Sequence, residues 1–291
     1  MEDTTSLTTH YLERVRQIMP NLDIHTSHLN QDGLVNDVVF VNKSWVFRFA
    51  KGDYGRLALA AELQIYAAVQ GRLPLSIPMP ISTSEDTLVY RMLQGEPLSR
   101  RLYFSLSQDE RTTINRQLAE FLAALHAVTD QQVGLRLPKT MAPVTHEPWL
   151  KMRTSIEEKV YPLLLPHQKA WAVDLLTFID DPLNFVYEPG LIHGDLAPYH
   201  ILYDQETRMI TGVIDFGTGG IGDPASDLGS LMQNFGGQFV HSLSPSYPNL
   251  ERFLRRSRFY AQAIELEWVL LGLQHNENFW FTAHLGGARD V

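Results

Sequence analysis

The apolar residues of this chain change period partway along it, and that change limits the possible folds more than any other feature. Between residues 36 and 50 they alternate in two short runs interrupted at Asn42 and Lys43, with Trp45, Phe47 and Phe49 on one face and Val46, Arg48 and Ala50 on the other. Such alternation predicts a β-hairpin. From Ser107 the repeat is helical: Ile114, Leu118, Phe121, Leu122 and Leu125 form one stripe, opened by a capping box of Ser107 with Glu110. Between these segments, residues 57–69 carry Leu57, Ala61, Ile65 and Ala68 at helical spacing, with Glu62 inside the helix and Gly71 as its stop. The proline-rich LPLSIPMP then forces an extended loop, and residues 87–93 form a further β run. Two more helices are predicted over residues 147–165 and 167–179, followed by short β runs at 191–193, 201–203 and 209–214 and a long last helix over 249–273. The expected fold is α+β and two-lobed. Residues 1–94 form a small antiparallel sheet with one helix, residues 95–291 form a larger, mostly helical lobe, and a ligand cleft lies between them.

Composition narrows the classes of function. With 44% hydrophobic and 10% aromatic residues over 291 positions, the chain can bury a sizeable core, which excludes disordered and low-complexity classes. It has no cysteine, so disulfides, thiolate metal sites and cysteine nucleophiles are excluded, and a reducing, cytoplasmic setting is the default expectation. The first 20 residues contain Glu2, Asp3, Glu13 and Arg14 and lack an apolar signal region, and no stretch approaches the roughly 18 apolar residues of a membrane span. Neither a secretory signal nor a membrane span is expected. With 24 Lys and Arg against 33 Asp and Glu, the net charge is −9, which disfavours nucleic acid as a partner and favours a basic ligand.

The densest chemistry lies in LIHGDLAPYHIL, with His193, Asp195 and His200, and in VIDFGTGGIGDPASD, with Asp215, Asp223 and Asp227. Two carboxylates and a ligating side chain on paired short strands beside glycine-rich turns suit metal-assisted phosphoryl transfer. That reaction needs a base to orient the acceptor hydroxyl and oxygen or nitrogen ligands to hold Mg²⁺ against nucleotide phosphates.

These two motifs resemble the HxDxxxxN/H catalytic loop and IDFG metal motif of the protein-kinase-like antibiotic phosphotransferases, the aminoglycoside and macrolide kinases. The resemblance runs from about Gly33 to Trp268. It implies a protein-kinase-like fold, Asp195 as catalytic base, and His200 and Asp215 as Mg²⁺ ligands. His200 stands where most of the family has Asn, which is similar to the aminoglycoside 2″ and macrolide 2′ branches. Carried over in the same way, Arg48 in WVFRFAK is the phosphate-binding cation and Glu62 its helix partner, with Lys51 a weaker substitute for Arg48. The loop NQDGLVND, with Gly33, resembles a degenerate phosphate loop. LVYRMLQGEPL resembles the hinge, where the Arg91 carbonyl and Leu93 amide pair with the base of ATP or GTP and Tyr90 lies at the gate. His193 and Asp227 read as anchors of the loop, Asp223 with Pro224 as a turn or helix start, and His126 as a buried core histidine.

On the acceptor side the resemblance points to Trp268, flanked by Glu265 and Glu267. Carboxylates beside one aromatic face suit a polycationic aminosugar. An amphipathic helix with Trp268 in the core explains the same residues. The expected activity is therefore transfer of a phosphoryl group from ATP or GTP to a hydroxyl of a small-molecule antibiotic, first an aminoglycoside and second a macrolide, by a monomer or dimer. A metabolic kinase acting on a sugar, choline-like alcohol or homoserine, and a non-catalytic nucleotide-binding protein, are the alternatives.

Overall fold

The structure, a computed structural model, describes residues 4–33, 35–275 and 283–284. Leu34, in the loop read as phosphate-binding, lies outside the described residues.

The hairpin forms as the alternation predicts. β2 (Asn36–Val41) and β3 (Trp45–Ala50) pair antiparallel, with Val41 opposite Trp45 and Asn36 opposite Ala50. Asn42 and Lys43 turn the chain at φ 54 and 50, the left-handed conformation that a tight hairpin turn requires. With β1 (Ser27–Asn30), β4 (Pro80–Thr83) and β5 (Thr87–Arg91) these strands make a five-stranded sheet of order β1-β2-β3-β5-β4.

Two helices accompany this sheet, one more than the sequence suggested. α1 (Thr4–Ile18) lies on its outer face, where Tyr11, Leu12, Val15 and Ile18 pack on Val39, Val41, Trp45, Phe47, Phe49 and Val89. Its polar composition hides a narrow apolar stripe, which becomes legible only when the sheet face it covers is known. α2 (Gly52–Val69) starts five residues earlier than its apolar stripe and packs on the inner face, with Gly71 at φ 71 just beyond its end.

The second lobe begins where the chain changes sheets. β6 (Glu96–Pro97) pairs with β8 (Ile201–Asp204), which pairs with β9 (Met209–Val213). Gly95, at φ 113, makes the junction. A side chain there would meet Thr211 Oγ1 at 2.8 Å and the Tyr203 carbonyl at 3.0 Å, so only glycine fits without displacement. Then follow α3 (Arg100–Ser105), α4 (Gln108–His126) with the expected Ser107–Glu110 capping box, α5 (Asp130–Val133), α6 (His146–Lys159) and α7 (Pro166–Leu176). α6 and α7 end earlier than predicted because their last turns tighten into 3₁₀ segments at Tyr161–Leu163 and Thr177–Asp180. β7 (Gly190–Ile192) pairs with β10 (Gly220–Gly222), and α8 (Ala225–Phe235), α9 (Gly237–His241) and α10 (Leu254–His275) complete the lobe.

One apolar core crosses between the lobes, joining Val46, Ile65, Tyr66 and Leu88 to Leu196, Ile201 and Phe216. A second holds α6, α7 and α10 together through Trp149, Phe178 and Phe259, the last two stacked at 4.3 Å. Among the described residues no helix is long and apolar enough to cross a membrane.

Candidate active site

The segment after β7 enters a turn that only a particular residue order allows. Gly194 has φ 82, and a side chain on it would lie 2.7 Å from the Thr218 carbonyl. Asp195 follows, directed into the cleft with 37% of its side chain exposed. The turn is anchored from beneath by Asp227 on α8, fully buried, which accepts the His193 N–H and the Gly194 N–H at 2.8 Å each. Asp227 is held in turn by His126 Nε2 at 3.0 Å, and His126 Nδ1 meets the Tyr247 hydroxyl at 2.7 Å. Burial alone would raise the Asp227 carboxyl, but the His126 hydrogen bond and nearby imidazoles hold it below the usual range. Replacing His126 with alanine is expected to lower stability by about 2 kcal/mol, the scale of a hydrogen bond to a buried charge, measurable as a reduced urea midpoint at unchanged slope.

His193 is fully buried, bonded through Nε2 to the Ile214 carbonyl at 2.9 Å and accepting the Asp195 N–H at Nδ1. Burial, then the neighbouring His200, lowers its pKa, and it serves as a neutral strut between the two motifs. His200 Nδ1 bonds the Asp195 carbonyl oxygen at 2.7 Å. A carbonyl only accepts, so Nδ1 carries a proton and Nε2 is the ring nitrogen left to face outward. Nε2 lies 3.7 Å from Asp215 Oδ2. Asp215 adopts φ 67, which aims its carboxylate back into the cleft. Burial opposes ionisation of Asp215, but the Arg48 guanidinium above all outweighs it, and the pKa comes down to about 2.

Among the described residues no cluster of three or more His, Asp or Glu stands at metal-binding spacing. Magnesium, however, is held mainly by one or two protein ligands together with phosphate oxygens and water. An ionised carboxylate facing the outward nitrogen of an imidazole fits that requirement.

Arg48 is buried between the motifs and the helix. Its Nη1 donates to Glu62 Oε1 at 2.8 Å and its Nη2 to Asp215 Oδ1 at 3.0 Å. The two carboxylates outweigh the effect of burial and keep Arg48 cationic. Glu62 Oε1 is a hub that also accepts the Phe216 N–H at 3.2 Å and the Tyr66 hydroxyl. Tyr66 meets the Phe216 ring edge-on at 5.7 Å. The strand, the helix and the second motif are thus tied at one carboxylate. Tyr90 is 5% exposed beside this group, and burial raises its hydroxyl pKa.

In the segment expected to be the hinge, Arg91 is exposed and its guanidinium lies 3.6 Å from the centre of the Trp45 ring. Leu93 packs toward Gly212, and the Gln94 carbonyl accepts the Thr211 hydroxyl. The Gly33 and Gln31 carbonyls both accept from Lys51 Nζ, at 2.7 and 3.0 Å.

The three acceptor-side residues on α10 separate. Glu265 is 5% exposed, bonded by Gln233 Nε2 at 3.1 Å and paired with His284 at 2.8 Å. The Trp268 ring stacks on His284 at 5.8 Å. Glu267 is the one that feels the Asp195 turn: burial, then the charge of Asp195, pushes its carboxyl up to about 7. Two tyrosines that sequence reasoning missed lie beside the same charge. Tyr54 on α2 is raised by burial and by Glu267 and Asp195, and half-exposed Tyr199 by burial and by Asp195 and Asp215. No motif marks Tyr54, although Tyr199 stands next to His200. Asp223 begins the turn into α8, as expected, but also forms a two-point ion pair with Arg256 on α10 at 2.6 and 3.1 Å, a partner that sequence spacing does not signal.

A cleft of this construction, between a small antiparallel sheet and a helical lobe, defines the kinase-like class of phosphotransferases. A model of the phosphotransferase enzyme family matches residues 28–263, and the chain belongs to that family. It is a phosphotransferase with an alcohol group as acceptor. It is 29% identical over 214 residues to viomycin phosphotransferase of Streptomyces vinaceus, covering 69% of this chain and 71% of that one. It is also similar to the GDP and kanamycin complex of an aminoglycoside 2″-phosphotransferase, with a TM-score of 0.84, 26% identity, and coverage of 95% of this chain and 96% of that one. A type I macrolide 2′-phosphotransferase shares the fold at a TM-score of 0.69 and 18% identity, with 98% and 97% covered.

Proposed function

We propose that this protein transfers a phosphoryl group from a purine nucleoside triphosphate to a hydroxyl of an aminoglycoside. The observation that carries this reading is Glu267, a carboxyl beside Asp195 on the acceptor side of the cleft, in a chain of net charge −9. A polycationic aminosugar supplies the positive charge that two neighbouring carboxylates lack. The likeness to a protein solved with GDP and kanamycin supports both donor and acceptor.

In this reading Asp195 accepts the hydrogen bond of the acceptor hydroxyl, aims its oxygen at the donor, and receives its proton late. Arg48 neutralises donor phosphate oxygens, the Arg91 and Leu93 backbone receives the purine edge with Tyr90 at its gate, and residues 31–33 cover the phosphates. His200 and Asp215 would hold Mg²⁺, which supplies charge neutralisation at the transferring group. Most of the acceleration comes from positioning and electrostatics.

The test is release of nucleoside diphosphate in the presence of magnesium, with ATP and GTP offered separately against aminoglycosides, macrolides and small alcohols. Release that depends on an aminoglycoside is expected. Release with only a macrolide, or only a metabolic alcohol, overturns the acceptor, and nucleotide binding without any turnover overturns the reaction.

Glu267 makes this reading pH-dependent. With its carboxyl raised to about 7, it is neutral below that pH and anionic above it. The acceptor KM is therefore expected to rise by about threefold to tenfold as pH falls from about 8 to about 6, the scale of one partly exposed charge contact. In Glu267→Gln the KM starts high and loses this rise. Equal pH dependence in both proteins refutes the role.

A further inference from the structure

Lys51 stands one residue beyond β3 and is held to the β1–β2 loop twice. Its backbone N–H donates to the Val35 carbonyl at 2.8 Å, and its Nζ donates to the Gln31 and Gly33 carbonyls at 3.0 and 2.7 Å. Nζ also forms an ion pair with Asp37 Oδ1 at 3.0 Å. Three oxygens thus surround Nζ, two as hydrogen-bond acceptors and one as an ion-pair partner. This arrangement commits two of the three ammonium donors to loop carbonyls. It defines the path of the loop, which is shaped further by the Asp32 N–H donating to Asn30 Oδ1 at 2.8 Å.

Asp37 connects this clamp to the outer face of the sheet. It is 5% exposed, and its other oxygen accepts the Tyr11 hydroxyl at 2.6 Å. Tyr11 is fixed by its ring, 4.9 Å from that of Phe49, while Arg14, one turn along α1, pairs with Asp86 at 2.8 Å. A continuous series of polar contacts runs from α1 through Tyr11, Asp37 and Lys51 to the carbonyls at 31 and 33.

We propose that Lys51 is a positioning residue that fixes the β1–β2 loop over the donor phosphates, and that α1 sets Lys51 through Tyr11 and Asp37. The proposal rests on the reading of residues 31–33 as the phosphate-covering loop. Its chemistry is that of preorganisation: a loop already held in its bound path loses little freedom when the nucleotide arrives.

The experiment compares the full-length wild type with Lys51→Met, Lys51→Met/Asp37→Asn and Tyr11→Phe. For each, dissociation constants for Mg–GDP and Mg–ADP, amide hydrogen exchange over residues 30–36, and the melting temperature are measured. Removing Lys51 weakens nucleotide binding by about tenfold and speeds exchange in the loop, an effect on the scale of ordering a few residues. Lys51→Met also leaves the buried Asp37 charge unpaired, so it melts earlier. The double variant, in which the amide oxygen introduced at position 37 still accepts from Tyr11, recovers the melting temperature but neither the affinity nor the slow exchange. Tyr11→Phe weakens binding and speeds exchange in the same direction by about twofold to threefold, the scale of one hydrogen bond. Wild-type affinity and exchange in the double variant overturn the proposal. Wild-type protein that binds neither nucleotide overturns the donor reading instead, and in that case unchanged loop exchange in the double variant overturns the clamp by itself.

Discussion

Asp195→Asn is expected to lower kcat by about a hundredfold to ten-thousandfold while leaving the nucleotide dissociation constant within about twofold of wild type, the range of general-base catalysis. The geometry separates the two effects. Asp195 stands on a turn whose shape comes from Gly194, His193 and Asp227, so the amide replaces the carboxylate without moving the loop. Nucleotide contacts, in the proposed reading, gather around Arg48 and Asp215 on the other side of His200. The check is single-turnover chemistry alongside equilibrium nucleotide binding. Wild-type turnover in the variant refutes Asp195 as base, and an equal loss of nucleotide affinity places it in the donor site.

Glu62→Ala is expected to cost the largest stability, about 3–5 kcal/mol, because it removes one partner of a fully buried ion pair and leaves the other charged. One oxygen of Glu62 serves Arg48, Tyr66 and the Phe216 amide together. With that oxygen gone, Arg48 leans on Asp215 alone, and nucleotide affinity falls with stability. Glu62→Gln keeps an acceptor for Tyr66 and Phe216, so it restores part of the stability and less of the affinity. Denaturant titration and nucleotide binding on both variants measure the difference. A Glu62→Ala protein as stable as wild type refutes the hub.

What the sequence disclosed depended on distance along the chain. Asp195, His200 and Asp215 lie within 21 residues, on turns whose glycines and strands are local, so their spacing already carries their geometry. Arg48 and Glu62 were legible as a strand residue followed by a helix residue, although the second carboxylate on Arg48 lies 167 positions away. The partners that lock the site in place are not local. His126 reaches Asp227 across 101 positions and Asp223 reaches Arg256 across 33, and nothing in either neighbourhood specifies the match. On α10 the difficulty was angular. Glu265 and Glu267 are two positions apart and so about 200° apart around the helix axis, which sends one carboxylate inward and the other toward Asp195. α1 escaped notice because its apolar stripe is narrow and its helix formers are few.

The core that runs unbroken from Val46 and Tyr66 to Leu196 and Phe216 has a consequence for evolution. The two lobes share side chains across their border, so a lobe exchanged from a relative arrives with half of an interior that its new partner must complete. In the proposed reading, changes on the rim at Tyr54, Tyr199 and Glu267 alter acceptor preference without disturbing that shared interior.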